Sequence, residues 1–235
     1  MTATVAALST EAPRRGFRVN PLVAVIAALA VVLVVVTILT RGDSDQDTLS
    51  IHNATPAGTR ALAQIVGDRG VDVRQIDRLA DARILNPAST TLVIVEGAPF
   101  YDYQAQSLVE YPGDVVWIMP STYSYGLFEA DLSSTRWFGS GGTAVADCTH
   151  PAAVAGGEMT ISDGVVNVPA SSAATGCFEA GTGSYAYAVL EQGGRRVTFV
   201  ESWAGFPNES LAAVGNAAVA IHLVGAEETL LWYLG

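Results

Sequence analysis

The chain has 235 residues, half of them hydrophobic and 15% charged, enough for one domain of ordinary size with appendages and too apolar for a wholly soluble protein. All 12 basic residues are arginine, and the charge is divided unevenly: residues 1–41 carry four Arg against one Glu (+3), residues 42–235 eight Arg against 22 acidic residues (−14), together the net −11. A region at −14 lacks the clustered cations that nucleic acid requires and repels anionic headgroups, which excludes nucleic acid as a partner.

Residues 1–20 are small, polar and dotted with arginine, and read as a disordered tail. Residues 21–40, PLVAVIAALAVVLVVVTILT, hold no charge. As a helix they would span about 30 Å, the thickness of a hydrocarbon core. A buried core helix would carry more polar positions. A cleaved signal peptide would have a shorter apolar core and small residues at a cleavage site, where this run ends in TRGDSDQD. The expectation is an uncleaved transmembrane anchor in contact with membrane lipid. Arg14, Arg15 and Arg18 precede it and Asp43, Asp45 and Asp47 follow, so the positive-inside rule keeps the N-terminus cytoplasmic and sends the rest across the cell membrane. Residues 41–47 form a linker and 48–235 an extracytoplasmic domain.

That domain is expected to open with a strand at 48–52 and a helix beginning at Thr55-Pro56, with Thr55 as N-cap, Pro56 at the first helical position and Gly70 as the stop. A strand at 71–76 and a short helix at 78–84 follow. TTLVIVEG (90–97) and DVVWIM (114–119) are continuous apolar runs of the kind buried on both faces of a parallel sheet, with a helix at 103–111 between them. This alternation predicts an α/β fold with a doubly wound, mainly parallel layer. Residues 121–190 turn to Gly, Ser, Thr and Ala and read as short antiparallel strands and loops. Residues 184–202 read as a hairpin around Gly193-Gly194. A helix capped by Asn208 and a final strand at 230–235 complete the chain. Cys148 and Cys177 both lie beyond the span. An oxidising compartment and an even count favour a disulfide, with two buried free thiols as the alternative.

The segments NATPAGTRALAQIVGDRGVDVRQI, PNESLAAVGNAAVAIHLVG and LLWYL together resemble the bacterial family called domain of unknown function 4350, over roughly residues 48–235, and its actinobacterial members carry two cysteines in the intervening region. The resemblance implies a flavodoxin-like or class I glutamine amidotransferase-like sheet without the catalytic residues; the residues themselves read as an antiparallel insertion at 121–190 that the cysteine pair would pin. It also implies a part in an envelope assembly or maturation system linked to a MoxR-type ATPase. The Gly-Asn helix looks like one in auxiliary domains of certain ABC-transporter and gliding systems. Many members continue into a second transmembrane helix. This chain stops at Gly235, as a shortened chain or a single-span variant.

Candidate chemistry is sparse. An amidotransferase needs a cysteine on a sharp strand-to-helix turn, and neither ADCTHP nor TGCFEA has the small-residue elbow. His150, two residues from Cys148, reads as a loop histidine beside a bridge. FGSGG (138–142) places Ser140 out of frame for a serine hydrolase, and GTGS (181–184) lacks the continuation of a phosphate loop. His52, His150 and His222 form no spaced pair, and Asp43, Asp45 and Asp47 lack the glycine and distal glutamate of a calcium loop, so no metal or cofactor is expected. Asn53 and Thr55 should lie at a helix N-terminus at the carboxyl edge of the sheet, with Asn208 nearby: a candidate cleft for a small anion or peptide carboxylate, against plain helix capping. Asn216, in a helix of small apolar residues, should spend its amide on an adjacent loop. The expected function is a non-catalytic, membrane-anchored domain binding an envelope protein or ligand. The competing reading is an extracytoplasmic hydrolase. A third is a scaffold recognised through the span, where Ala24, Ala27 and Ala28 permit close helix contact.

Overall fold

The computed structural model describes residues 26–32, 47–98, 100–128, 131–136 and 141–235. The chain divides into two units, Met1–Gly42 and Asp43–Gly235. In the first, residues 26–32 are helical and exposed. The rest of the expected span at 21–40, the tail before it and most of the linker lie outside the described residues. Among the described residues no helix is long and apolar enough to cross a membrane.

In the second unit, five parallel strands form one side of a nine-stranded sheet: β1 (Asp72–Ile76), β2 (Thr90–Val95), β3 (Asp114–Ile118), β10 (Arg195–Val200) and β11 (Thr229–Leu234), in the order β1-β11-β2-β3-β10. Every residue of β2 is buried, which is why TTLVIV reads as an unbroken apolar run: its alternate side chains enter two different cores. One core packs Val93, Val116 and Trp232 against α1 (Arg60–Asp68) and α5 (Asn216–Val224). The other packs Leu92, Ile94 and Trp117 against α2 (Asp102–Val109) and the 3-10 helix Leu79–Ile84. Phe100 and Phe128 meet the Trp117 ring edge-on.

The region after β3 is mostly antiparallel, with two short helices that the residue composition did not reveal, α3 (Thr122–Gly126) and α4 (Pro151–Gly156). The strands are β4 (Ser133–Arg136), β5 (Thr143–Val145), β6 (Glu158–Thr160), β7 (Gly164–Asn167), β8 (Thr175–Gly181) and β9 (Ser184–Gln192). β9 pairs with β7, β8 and β10, carrying the sheet from parallel to antiparallel, and β5 and β6 form a separate pair. The β9–β10 hairpin turns at Gly193 (φ 64°) and Gly194 (φ 80°), two successive left-handed positions that suit glycine alone without strain. Cys148 and Cys177 form a disulfide, Cα atoms 5.3 Å apart, tying the segment before α4 to β8.

Three expectations fail locally. Residues 48–52 form turns rather than a strand. Helix α1 begins at Arg60, so Thr55 and Pro56 stand outside it. The Asn53 side chain accepts the Thr55 amide proton (2.8 Å) in an Asx turn, which competes with a helix start. Helix α5 begins at Asn216 and not after Asn208. Residues 208–215 make turns, and Gly215 at their end passes against α4, where a Cβ would sit 2.0 Å from the Gly156 carbonyl oxygen.

Candidate functional site

Open α/β sheets present their ligands and chemistry at the carboxyl ends of the parallel strands. On this sheet two of those ends carry buried carboxylates. Glu96 follows β2 and Glu201 follows β10, on either side of β3, with exposures of 8% and 1%. Glu96 Oε2 accepts from Trp117 Nε1 (2.9 Å), the Ser121 amide (2.9 Å) and Ser124 Oγ (2.7 Å). Its other oxygen, Oε1, is buried with no hydrogen-bond partner among the described residues. Glu201 accepts from the Tyr125 hydroxyl (2.9 Å) and from Arg136 Nε (2.7 Å). The Arg136 guanidinium also donates to the Pro120 carbonyl (2.8 Å), which ties β4 to the end of β3. Burial drives the Tyr125 phenol far above its usual range and Glu201 adds to it, so the phenol stays a donor. The hydrogen bond that Arg136 donates to Glu201 raises the Arg136 pKa, with burial acting the other way.

Neither carboxylate stood out in the sequence, although a signal existed. Each is the first residue after an apolar strand, VIVE and TFVE. A charge placed where a buried parallel strand ends is directed to the ligand-binding edge.

Between them, β3 leads through Met119 and Pro120 into α3. Met119 has φ 56°, a conformation strained for a side chain of this size, and its amide donates to the Val200 carbonyl (2.9 Å). A sharp strand-to-helix turn with left-handed backbone is where α/β hydrolases expose their nucleophile. Here the position holds a thioether, which has no proton to give up.

Asn53, Thr55 and Asn208 do come together. Asn208 Oδ1 accepts the amide proton of Ala61 in the first turn of α1 (2.9 Å), and its Nδ2 donates to the carbonyls of Asn53 (3.1 Å) and Thr55 (2.7 Å). Asn208 therefore caps α1, from 147 residues away, and not the helix that follows it. Asn216 is fully buried at the start of α5. Its amide accepts from the Thr160 backbone (2.9 Å) and donates to Thr160 Oγ1 (3.0 Å) and the Ser210 carbonyl (2.9 Å).

With both cysteines in the bridge, neither is a thiolate. His150 Nδ1 lies 3.2 Å from the Tyr187 hydroxyl, the two rings edge-to-face. Burial, then the Arg196 charge, lowers the His150 pKa. His150 and His222 line one small cavity of about 20 Å³ that also receives Asp114 and Arg196. The guanidinium there opposes a cation, and among the described residues no group of three His, Cys, Asp or Glu is placed to hold a metal. At the opposite end of the strands, Arg196 Nε pairs with Asp114 (2.9 Å), and Arg195 caps the end of α2 through the carbonyls of Leu108, Val109 and Tyr111. Burial lowers the Arg195 pKa, and no carboxylate bonds it directly among the described residues.

The fold is a mixed α/β domain, a sheet parallel across five adjacent strands and continued by antiparallel ones, with one disulfide. The chain belongs to the family described as domain of unknown function DUF4350, whose profile matches residues 51–224. A Mycobacterium tuberculosis protein named as an uncharacterized membrane protein is 25% identical over 228 residues, covering 96% of this chain. The chain spans 57% of that relative's length. Among solved structures, an exo-beta-1,4-mannosidase from Opitutaceae bacterium strain TAV5 matches 60% of this chain and 26% of its own, at 12% identity and a TM-score of 0.34. That likeness is too slight to carry a conclusion.

Proposed function

We propose that the protein is a membrane-anchored domain on the outer side of the cell membrane that binds a partner or ligand without transforming it. In this reading it serves an envelope assembly or maturation system linked to a MoxR-type ATPase. Its sheet is a non-catalytic counterpart of the glutamine amidotransferase-like layer. The observation that carries the reading is Met119 on the strained turn after β3. The fold's natural nucleophile position is occupied by a group that cannot act as one, while the flanking carboxylates are engaged by neighbouring side chains. The uncharged run at 21–40 and the membrane protein among the relatives support the anchor. The Asn53–Thr55–Asn208 cluster acts in this reading as a clasp holding the 53–59 turn to α1, since the Asn208 amide is already committed at both ends.

The test pairs photo-crosslinking in intact cells, from a probe at exposed Tyr123, with mass spectrometry of envelope extract incubated with the full chain in lipid nanodiscs. A discrete adduct with unchanged extract is expected. Disappearance of an extract component with matched product would overturn the reading. The hydrolase alternative draws on one observation, that Glu96 Oε1, whose charge acts on Tyr125, has no partner among the described residues. It requires that Glu96→Gln abolish such turnover while the chain stays folded.

A further inference from the structure

A second feature of the carboxyl edge lies away from the Glu96–Glu201 network. A cavity of about 230 Å³ opens between the 3-10 helix after β1 and helix α2, lined by Asp77, Arg78, Leu79, Tyr103, Gln104 and Tyr233 among others. Asp77 directly follows β1, Tyr233 lies near the end of β11, and Tyr103 and Gln104 stand in the first turn of α2, reached from β2. These three strands are adjacent and parallel, so the cavity sits at their carboxyl ends, the position from which open α/β sheets bind.

Its rim is aromatic and held out in water. Tyr103 is 69% exposed, and Tyr101 beside it 70%, their rings within 8° of parallel and 5.9 Å apart. The mount is rigid: Gln104 accepts the Tyr101 amide proton (3.0 Å) and reaches the Tyr233 hydroxyl (3.5 Å). Tyr233 itself stacks on Phe100. Large rings left in solvent beside a cavity mark a recognition surface.

Three observations narrow the occupant. The domain's strong negative charge rejects nucleotides and phosphate polymers. The polar groups at the mouth mix acceptors (Asp77, and the Ser107 hydroxyl, whose proton goes to the Tyr103 carbonyl at 2.8 Å) and a donor (Arg78, steered by its pair with Asp81 at 3.0 Å). This suits vicinal hydroxyls better than an apolar peptide side chain. The volume is below the roughly 300 Å³ at which sites for drug-sized ligands begin, so it admits one ring of a longer chain. Resting on the binding reading above, we propose that this cleft takes one residue of a neutral glycan, its C–H face stacked on Tyr103 and its hydroxyls bonded to Asp77 and Arg78.

Saturation-transfer NMR on the full chain in lipid nanodiscs, with cellotetraose, maltotetraose and tetra-N-acetylchitotetraose as probes, tests it. At least one probe should receive saturation on its ring-face protons. Tyr103→Ala should weaken that probe roughly tenfold, the order one aromatic face supplies, and Tyr103→Phe should retain it. Because Tyr103 is mostly exposed, both variants should fold, which circular dichroism checks. No transfer to any of the three, or unchanged affinity in Tyr103→Ala, overturns the proposal while leaving a protein-binding module intact. Appearance of shorter sugars during the measurement overturns the non-catalytic reading and leaves the cleft assignment standing.

Discussion

Asn208 shows how far a residue's role can lie from its neighbours in sequence. It stands before a helix and looks like that helix's cap, yet its amide closes the first turn of α1 and holds two carbonyls of the 53–55 turn. Asn208→Ala should therefore cost about 1–2 kcal/mol, the usual worth of a cap, and lower Tm by about 2–8 °C for a domain of this size. Calorimetry showing no shift would mean the turn holds itself. His150 gives a second prediction. Burial and Arg196 disfavour its imidazolium, so the folded pKa lies below the ordinary 6.5. On acidification the unfolded chain then takes up the proton first, so stability falls as the pH is lowered. The contribution is present above about 6.5 and is lost as pH drops through that value, until the folded form is also protonated. Glu191 moderates the effect. In His150→Gln the fall in Tm on acidification should be shallower than in the parent. Parallel slopes would remove His150 as the cause.

Among the elements, the parallel strands were the most readable. β2 and β3 appear as unbroken apolar runs because both faces are covered, and the hairpin declares itself through paired glycines. The short helices α3 and α4 were not legible, since five or six residues carry too little periodicity to stand out among Ser, Gly and Ala. The disulfide works at this scale, joining the approach to α4 with strand β8 over a separation of 29 residues. A loop of that size should contribute about 3–4 kcal/mol in the chain-entropy model. The paired variant Cys148→Ala/Cys177→Ala should show a Tm lower by about 6–16 °C, with reduction of the parent giving a similar fall. A parent indifferent to reductant would show that the bridge adds nothing to the packing around buried Cys177.

For the whole molecule, the proposed membrane anchor makes a topological prediction. Protease added to spheroplasts should degrade residues 43–235 while a tag on the N-terminus stays protected until the membrane is opened. Protection of the domain in intact spheroplasts would invert the topology and remove the oxidising compartment from the explanation of the bridge. The candidate site was legible only in part. Asn53, Thr55 and Asn208 could be named as polar groups near helix ends, and they do meet. Glu96, Glu201 and Arg136 were missed because they come from three distant segments, and each alone is an ordinary charged residue at a strand boundary.

Local interactions decided what could be read directly from the residues: where apolar runs begin and stop, where paired glycines reverse the chain, and that the two cysteines favour a bridge. The first two depend on side-chain pattern and backbone preference within a few positions, the third on cysteine count and expected compartment. Tertiary structure alone decided that the last strand inserts between β1 and β2, that Asn208 serves a helix 147 residues earlier, and that the strained turn after β3 carries methionine between two buried carboxylates. Strand order and long-range hydrogen bonds arise from packing between segments whose separation the linear pattern does not encode.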